Sequence, residues 1–430
     1  MEYKVIDGKG IIPDGATEIG ESAFKGCSRL QSIVIPGSVT VIGGEAFEDC
    51  TNLQSIVIPD SVTRINYAAF SGCNNLTSIV VSKNNSRYKA INNCILTKDG
   101  KRLIFCRNHN IPDSVTIIGD FAFKGYTSLQ SIEIPDSVTT IGWAAFWDCA
   151  GLQSIVIPDS VKEIGYWAFM GCTSLQSIVI PNSVTVIGEN AFSGCSSLQS
   201  IVIPDSVTTI GWVAFLGCTS LQSIVIPDSV TEIGDEAFRD CTSLQSIEIP
   251  DSVTKIKSHA FEGCTSLQSI VIPDSVTMID SSAFSGCNNL TSIIVSKNNP
   301  KYESTNNCML TKGGKELVLC RSHNIPDGVT MIGSGAFDGC TSFQSIVIPD
   351  SVTSIDRDAF YGCSVLQSIT ITTQEKEPDL SRERIEYLLQ ALSEYSKEFF
   401  LRVPIGCGYA YRHHPAFKDK FIEITADIDA

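Results

Sequence analysis

Apolar and polar residues alternate in short runs such as Leu221-Gln222-Ser223-Ile224-Val225-Ile226, and each run is closed by a proline, here Pro227. Alternation with period two predicts a half-buried strand, and proline ends it by removing an amide donor. Ile-Pro recurs at Pro13, Pro36, Pro59, Pro112, Pro135, Pro158, Pro181, Pro204, Pro227, Pro250, Pro273, Pro326 and Pro349, at a spacing of 23 residues except for two steps of 53. A unit of this length is too short to bury its own apolar face. Neighbouring units must therefore stack, with strands one period apart pairing in parallel at about 4.8 Å. The pattern predicts a repeat solenoid over residues 13–372, about thirteen rungs around one continuous core, with no domain boundary inside it.

The inward positions of one unit are Val207, Ile210, Ala214, Phe215, Cys218, Leu221, Ile224 and Ile226. Each large side chain among them contributes roughly 1.5–3 kcal/mol on burial, opposing the entropy of the chain. Gly217 before Cys218 and Gly211 after Ile210 mark corners that need unusual dihedrals or close approach. The two long steps carry near-identical insertions at about 82–111 and 296–325, the mark of a block duplication. Residues 88–106 place two β-prone runs around Asp99-Gly100, and residues 302–320 repeat them around Gly313-Gly314, so two β-hairpins are expected, extending the sheet or serving recognition.

The repeat stops after Ile371, and residues 373–430 read as a small α/β C-terminal cap over the last rung. Ile385, Leu388, Leu389, Leu392 and Tyr395 predict an amphipathic helix over 381–399 with Ser381 as N-cap. A strand over 399–404 and a second helical stretch over 409–421 follow. Residues 1–12 read as an incomplete N-terminal repeat without a separate cap, leaving an edge open to self-association.

The pattern Leu-x-x-Ile-x-Ile-Pro, followed by Ser-Val-Thr-x-Ile-Gly-x-x-Ala-Phe-x-Gly-Cys, resembles the leucine-rich repeats of BspA-like (Treponema pallidum-type) proteins. The resemblance implies a curved right-handed array with a parallel β-sheet on the concave side and short irregular segments or strands on the convex side. It also implies protein binding, since several relatives are surface antigens or adhesins that attach to host matrix proteins.

The 47 acidic and 31 basic residues give a net charge of −16, which repels phosphate backbones and argues for no nucleic acid partner. No apolar run approaches the 18 or so residues of a membrane span. The opening Met1–Asp7 lacks a basic, then apolar, signal pattern, which points to the cytoplasm if Met1 is the native start, whereas the family resemblance points to the cell surface or secretion. Five histidines, with no nucleophile triad and no phosphate-binding loop, predict a protein without catalysis, metal or cofactor.

Twelve of the 17 cysteines share one inward repeat position, with Tyr126 in the thirteenth unit, and read as buried reduced thiols. In the hairpins, a two-residue loop at Asp99-Gly100 sets Cys94 opposite Phe105, with the sulfurs of Cys94 and Cys106 on opposite faces; an odd-length loop would bring them together. The expectation is that these cysteines, and Cys308 with Cys320, stay unpaired. Asp follows Pro in eleven units and is read as accepting local amide bonds in a turn, in preference to binding calcium.

Variation between units singles out a surface. The exposed strand position is usually Val, as at Val156, Val179, Val202 and Val225, with Glu133 and Glu248 as breaks. The two residues between Ile-Gly and Ala-Phe, and the one after Phe, diverge most. They hold every tryptophan of the chain: Trp143, Trp147, Trp167 and Trp212, accompanied by Tyr166, Met170 and Leu216. These side chains are expected within about 15 Å of one another, three strand spacings, as a partner-binding patch. Protein–protein interaction or adhesion to host or extracellular-matrix proteins is the first functional expectation. A carbohydrate-binding module using the Trp/Tyr patch and an intracellular scaffold are the alternatives.

Overall fold

The computed structural model describes residues 3–372, apart from 342 and 357, and the backbone of Glu398–Val403 and Glu423–Ala426. Every regular element among them is a strand, and the chain divides into two compact units, 1–230 and 231–430. Each rung gives one strand to each of two parallel sheets. In the first unit the longer strands Ser131–Glu133, Ser154–Val156, Ser177–Val179 and Ser200–Val202 pair in one unbroken register, serine to serine and isoleucine to isoleucine. The two-residue strands Ile117–Ile118, Thr140–Ile141, Glu163–Ile164, Val186–Ile187 and Thr209–Ile210 form the other sheet. The second unit repeats the plan, with Ser246–Glu248, Ser269–Ile272 and Ser292–Val295 on one side and Glu232–Ile233, Lys255–Ile256 and Met278–Ile279 on the other.

The core sits between the sheets and follows the predicted inward set: Val207, Ala214, Phe215, Cys218 and Leu221 are wholly buried, and Ile210, Ile224 and Ile226 nearly so. Because each rung copies the last, the phenylalanines stack face to face, with ring centroids 4.9 Å apart for Phe123–Phe146 and 5.3 Å for Phe146–Phe169. The thiols do more than fill space. Cys149, Cys172 and Cys195 donate to the carbonyls of Phe123, Phe146 and Phe169 in the preceding rung at 3.1, 3.2 and 3.2 Å. A small apolar side chain with one donor suits this site, where a methyl group would leave the bond unmade.

The two corner glycines meet different needs. The glycine before cysteine adopts left-handed dihedrals, as at Gly171 (φ 69°) and Gly217 (φ 67°). The glycine after isoleucine is required by close approach instead: a Cβ on Gly119 would stand 2.3 Å from the Leu103 carbonyl. At the Pro-Asp-Ser turns the expected bond moves by one residue. Asp136, Asp159 and Asp205 are exposed, while Ser137, Ser160 and Ser206 donate to the Val115, Val138 and Val184 carbonyls of the preceding rung, each at 2.6 Å. Serine bonds the preceding rung, and aspartate faces water.

Each insertion contains three antiparallel strands, not two: Tyr88–Ile91, Cys94–Thr97 and Arg102–Cys106 in the first, and Tyr302–Thr305, Cys308–Thr311 and Glu316–Cys320 in the second. The last strand also pairs in parallel with the next short strand, Arg102 with Ile117, and so takes a rung's place. Near the turn Leu96 faces Leu103, the register of the even loop. A bulge then shifts the pairing by one, so that Ile95 faces Phe105 and Cys94 faces Cys106. This corrects the expectation of unpaired hairpin thiols: disulfides join Cys94 to Cys106 and Cys308 to Cys320, with Cα atoms 4.0 and 4.1 Å apart.

Buried polar side chains lock the insertions in place. Asn85, fully buried, donates to the Pro59 and Val62 carbonyls at 2.8 and 2.9 Å and accepts from the Arg87 and Tyr88 amides. Asn299 repeats the arrangement. Arg107 reaches the Cys73, Cys106 and Lys124 carbonyls from a buried position and lies 5.0 Å over the ring of Tyr126, the residue that interrupts the thiol series. Burial lowers its guanidinium to a pKa of about 10.

At the N-terminus, Lys9–Ile11 pairs in parallel with Ser32–Ile33 as an incomplete rung should, but Lys4–Ile6 folds back on it antiparallel. The Tyr3 hydroxyl donates to Glu18 and accepts from Gly20. Lys4–Ile6 is thus the edge strand of this sheet. In the second unit Glu398–Val403 adds in parallel to Ser368–Thr372, and Glu423–Ala426 adds to it. The helical expectations at 381–399 and 409–421 lie outside the described residues, except Glu398 and Phe399, which are strand.

Burial raises the Cys149, Cys195 and Cys287 thiols to about 12. An unfolded thiol loses its proton nearer pH 8.5, so the stabilisation is complete below that pH and is lost as pH rises toward the folded value. Unfolding free energy measured by urea titration should fall steeply between about pH 9 and 12, and less steeply in a Cys149→Ala/Cys195→Ala variant. Replacing Asn85 by Ala should cost roughly 2–4 kcal/mol in the same assay, because four bonds are lost and two carbonyls stay buried.

Candidate functional site

The variable positions stand on the edge of each rung between the short strand and the stacked phenylalanine, and backbone bonds between rungs set their geometry. The amide of the second variable residue donates to the carbonyl of the first one in the next rung: Phe121 to Trp143, Ala144 to Tyr166, Trp167 to Glu189 and Asn190 to Trp212, each at 2.9 Å. These residues take left-handed dihedrals, with φ of 58° at Phe121, 51° at Ala144, 59° at Trp167 and 54° at Asn190, and Val213 shares them at 57°. For residues with a Cβ that conformation costs on the order of 1–2 kcal/mol. Nothing in the sequence flagged it, because glycine stands there in only one described rung, at Gly335 (φ 68°).

The structure brings together part of the predicted patch and adds to it. Trp143 and Trp167 have ring centroids 5.3 Å apart, and Trp147 and Trp167 5.8 Å. Phe121, absent from the predicted set, lies at the centre, 5.1 Å from Trp143, 6.4 Å from Trp147 and 6.0 Å from Tyr67. The signal for it was positional: Phe121 and Tyr67 occupy the same variable sites as the tryptophans, and only residue type hid them. Trp147 and Trp167 are half-buried against Phe121, Ala68 and Ala144, a supporting layer. Trp143 (44% exposed), Tyr166 (60%) and Trp212 (55%) face outward. Glu189 and Asn190 separate the Trp212 rung from that of Trp167, and Met170 and Leu216 are half-buried.

Charge borders the aromatic cluster. The Lys124 ammonium sits 4.2 Å above Trp147 and 2.6 Å from Glu48, which Lys25 also meets at 2.6 Å. Burial pushes the Glu48 carboxyl up, but the two lysines outweigh it and hold the carboxyl below its usual range. A groove of about 610 Å³ runs beside Trp143 and Tyr166 over Thr140, Glu163 and Val186 of the short strands. In the second unit the same variable sites carry ions instead: Arg239 meets Glu236 at 3.1 Å and Glu262 at 3.3 Å, and His259 meets Glu262 at 2.7 Å. On the long-strand sheet, Val156, Val179, Val202 and Val225 stay 62–75% exposed. Among the described residues no three His, Cys, Asp or Glu side chains gather as metal ligands, and no helix is long and apolar enough to cross a membrane.

The left-handed requirement has a measurable consequence. Val213, β-branched at φ 57°, should gain roughly 1 kcal/mol when replaced by Asn, the residue that occupies this site at Asn190. A rise of a few degrees in Tm by calorimetry checks it; a fall would mean that the valine side chain stabilises the rung more than its backbone strains it.

A family model described as a BspA type leucine-rich repeat region, in six copies, matches residues 9–98, 104–222, 209–312 and 317–379. Among solved structures, a leucine-rich repeat protein from Eubacterium ventriosum is 28% identical, with 60% of this chain and 82% of that one covered and a TM-score of 0.51. One from Bacteroides ovatus is 24% identical over 99% of this chain and 98% of its own, with a TM-score of 0.50. The leucine-rich repeat protein of T. pallidum is 31% identical, covering 44% of this chain and 90% of its own, with a TM-score of 0.37. No curated protein matches the chain.

Proposed function

The chain belongs to the BspA-type leucine-rich-repeat family, and from that premise we propose that it is a non-catalytic binding protein whose contact surface is the aromatic edge of the first unit. The observation that carries this reading is the layered cluster. Trp147, Trp167 and Phe121 pack together and support Trp143, which faces solvent as Tyr166 does. Large, rigid aromatic side chains on a fixed backbone are the usual hot spots of protein interfaces, since they lose little entropy on binding.

The partner in this reading is a protein, such as a host or extracellular-matrix protein. The disulfides Cys94–Cys106 and Cys308–Cys320 support an oxidising compartment, and so favour adhesion over an intracellular scaffold. The groove beside Trp143 and Tyr166 supports a carbohydrate reading as the rival, since sugars stack on aromatic faces.

The full chain and its Trp143→Ser/Tyr166→Ser/Trp212→Ser variant should be compared on immobilised matrix proteins and on a glycan array. The variant should keep the wild-type circular dichroism and lose at least about tenfold in affinity for the protein that wild type binds, as loss of hot-spot aromatics requires. Saturable binding of a simple sugar by wild type, or unchanged protein affinity in the variant, contradicts the proposal.

A further inference from the structure

The two insertions are near copies, yet the seams they create differ. At the first, the rung of residues 66–71 and the rung of 119–121 enclose a cleft of about 150 Å³ with Arg102, Ile104 and Phe105 as its floor. Phe70, Phe105, Tyr67 and Phe121 give it aromatic walls. At the second seam the corresponding rungs close up: Gly335 stands where Phe121 does, so near its neighbour that a Cβ would lie 2.5 Å from the Ser281 carbonyl. Phe121 and Tyr67, their rings 6.0 Å apart, stand where the second seam has Gly335 and Ser281, and they hold the first one open.

Both insertions interrupt the ladder of amide donors, since Cys320 takes the Ala336 carbonyl at the second seam as Cys106 takes that of Ala122 at the first, and at the first the interrupted rung lines a cleft. In the preceding rung the Glu45 and Phe47 amides donate across to Tyr67 and Ala69. The matching amides of Ala68 and Phe70 make no such bond, because Cys106 of the insertion takes the Ala122 carbonyl that Phe70 would use, at 3.0 Å. Ser71, 1% exposed, lines the same cleft with a buried hydroxyl that has no partner. At the second seam Ser285 bonds the Asp338 carboxyl, but Lys124 replaces that aspartate at the first and turns to Glu48. A buried donor without an acceptor carries a desolvation cost that a bound acceptor removes.

We propose that this cleft is a binding site for a small, flat, neutral molecule bearing a carbonyl acceptor, of about the size of benzamide. The aromatic walls take the ring, and the Ser71 hydroxyl donates to the carbonyl oxygen. A volume near 150 Å³ admits one six-membered ring. Neutrality follows from charge: Arg102 is already paired with Asp120 at 2.9 Å, and a chain of net charge −16 disfavours a free carboxylate. This site adjoins the proposed protein-contact surface and shares Phe121 with it, but Ser71 lies beneath that surface, so Ser71→Ala leaves the protein contact unchanged.

Saturation-transfer NMR of the full chain with benzamide, benzoate and benzylamine as probes tests the proposal. Benzamide should saturate, with the two charged probes at least about tenfold weaker. Ser71→Ala should weaken benzamide about tenfold, the worth of one buried hydrogen bond, and Phe121→Gly, which restores the residue of the closed seam, should abolish its binding. Equal benzamide transfer in wild type and both variants overturns the proposal, as does a crystal soaked in benzamide that shows only water in the cleft. Should Phe121→Gly fail to fold, the Ser71→Ala comparison decides alone.

Discussion

The rest of the molecule depends on the backbone hydrogen bonds that run from each rung to the next at the edge carrying the phenylalanines. Four bonds on one rung show the pattern: Gly142 to Ile118, Ala144 to Tyr166, Phe146 to Ala168 and Asp148 to Met170, all between 2.8 and 2.9 Å. They fix the rung spacing, and the ring stacking and thiol bonds follow from it. The second variable residue takes left-handed dihedrals in most described rungs, with side chains as different as those of Glu45, Trp167 and Asn190. A solenoid of this kind separates two jobs. The backbone and the inward set are held constant, and the side chains at the edge are free to differ from rung to rung.

That freedom is used differently in the two units. In the first, the edge carries a layered aromatic cluster with a lysine over its inner ring; in the second, arginine, histidine and glutamates pair along it. The same division shows where the repeat is interrupted. Each insertion replaces a rung by three strands and reconnects the ladder beyond itself, with Gly72 bonded to Lys124 and Gly286 to Asp338. Between these points the ladder is broken. Whether the break becomes a cleft or closes is decided by side chains, Phe121 in one copy and Gly335 in the other.

Much of this was legible in the sequence because repetition reports every inward position many times over. The strands, the core set and the thiol series needed only the period of 23 and the apolar pattern. What escaped was whatever leaves the period unchanged. The bulge before Phe105 adds a residue inside a strand without altering the turn, so the loop at Asp99-Gly100 was read correctly while the register of Cys94 was not. Left-handed dihedrals at Trp167 and Val213 escaped because they fall on residue types that do not prefer them. Asn85 looked like any loop asparagine, and its burial became visible only once the insertion folded over Pro59 and Val62. Tyr67 meets Phe121 of the cluster only because rungs separated by 53 residues in the chain are adjacent in space.

The claim that the inter-rung ladder carries the structure, and is broken at the first seam, is tested most directly by amide hydrogen exchange resolved along the chain. The Phe146 and Phe169 amides, bonded across rungs at 2.8 and 2.9 Å, should exchange only through global unfolding, while Ala68 and Phe70 exchange faster by orders of magnitude despite their burial. Uniform protection from residue 66 to residue 171 would contradict it, by showing that the ladder continues through the insertion.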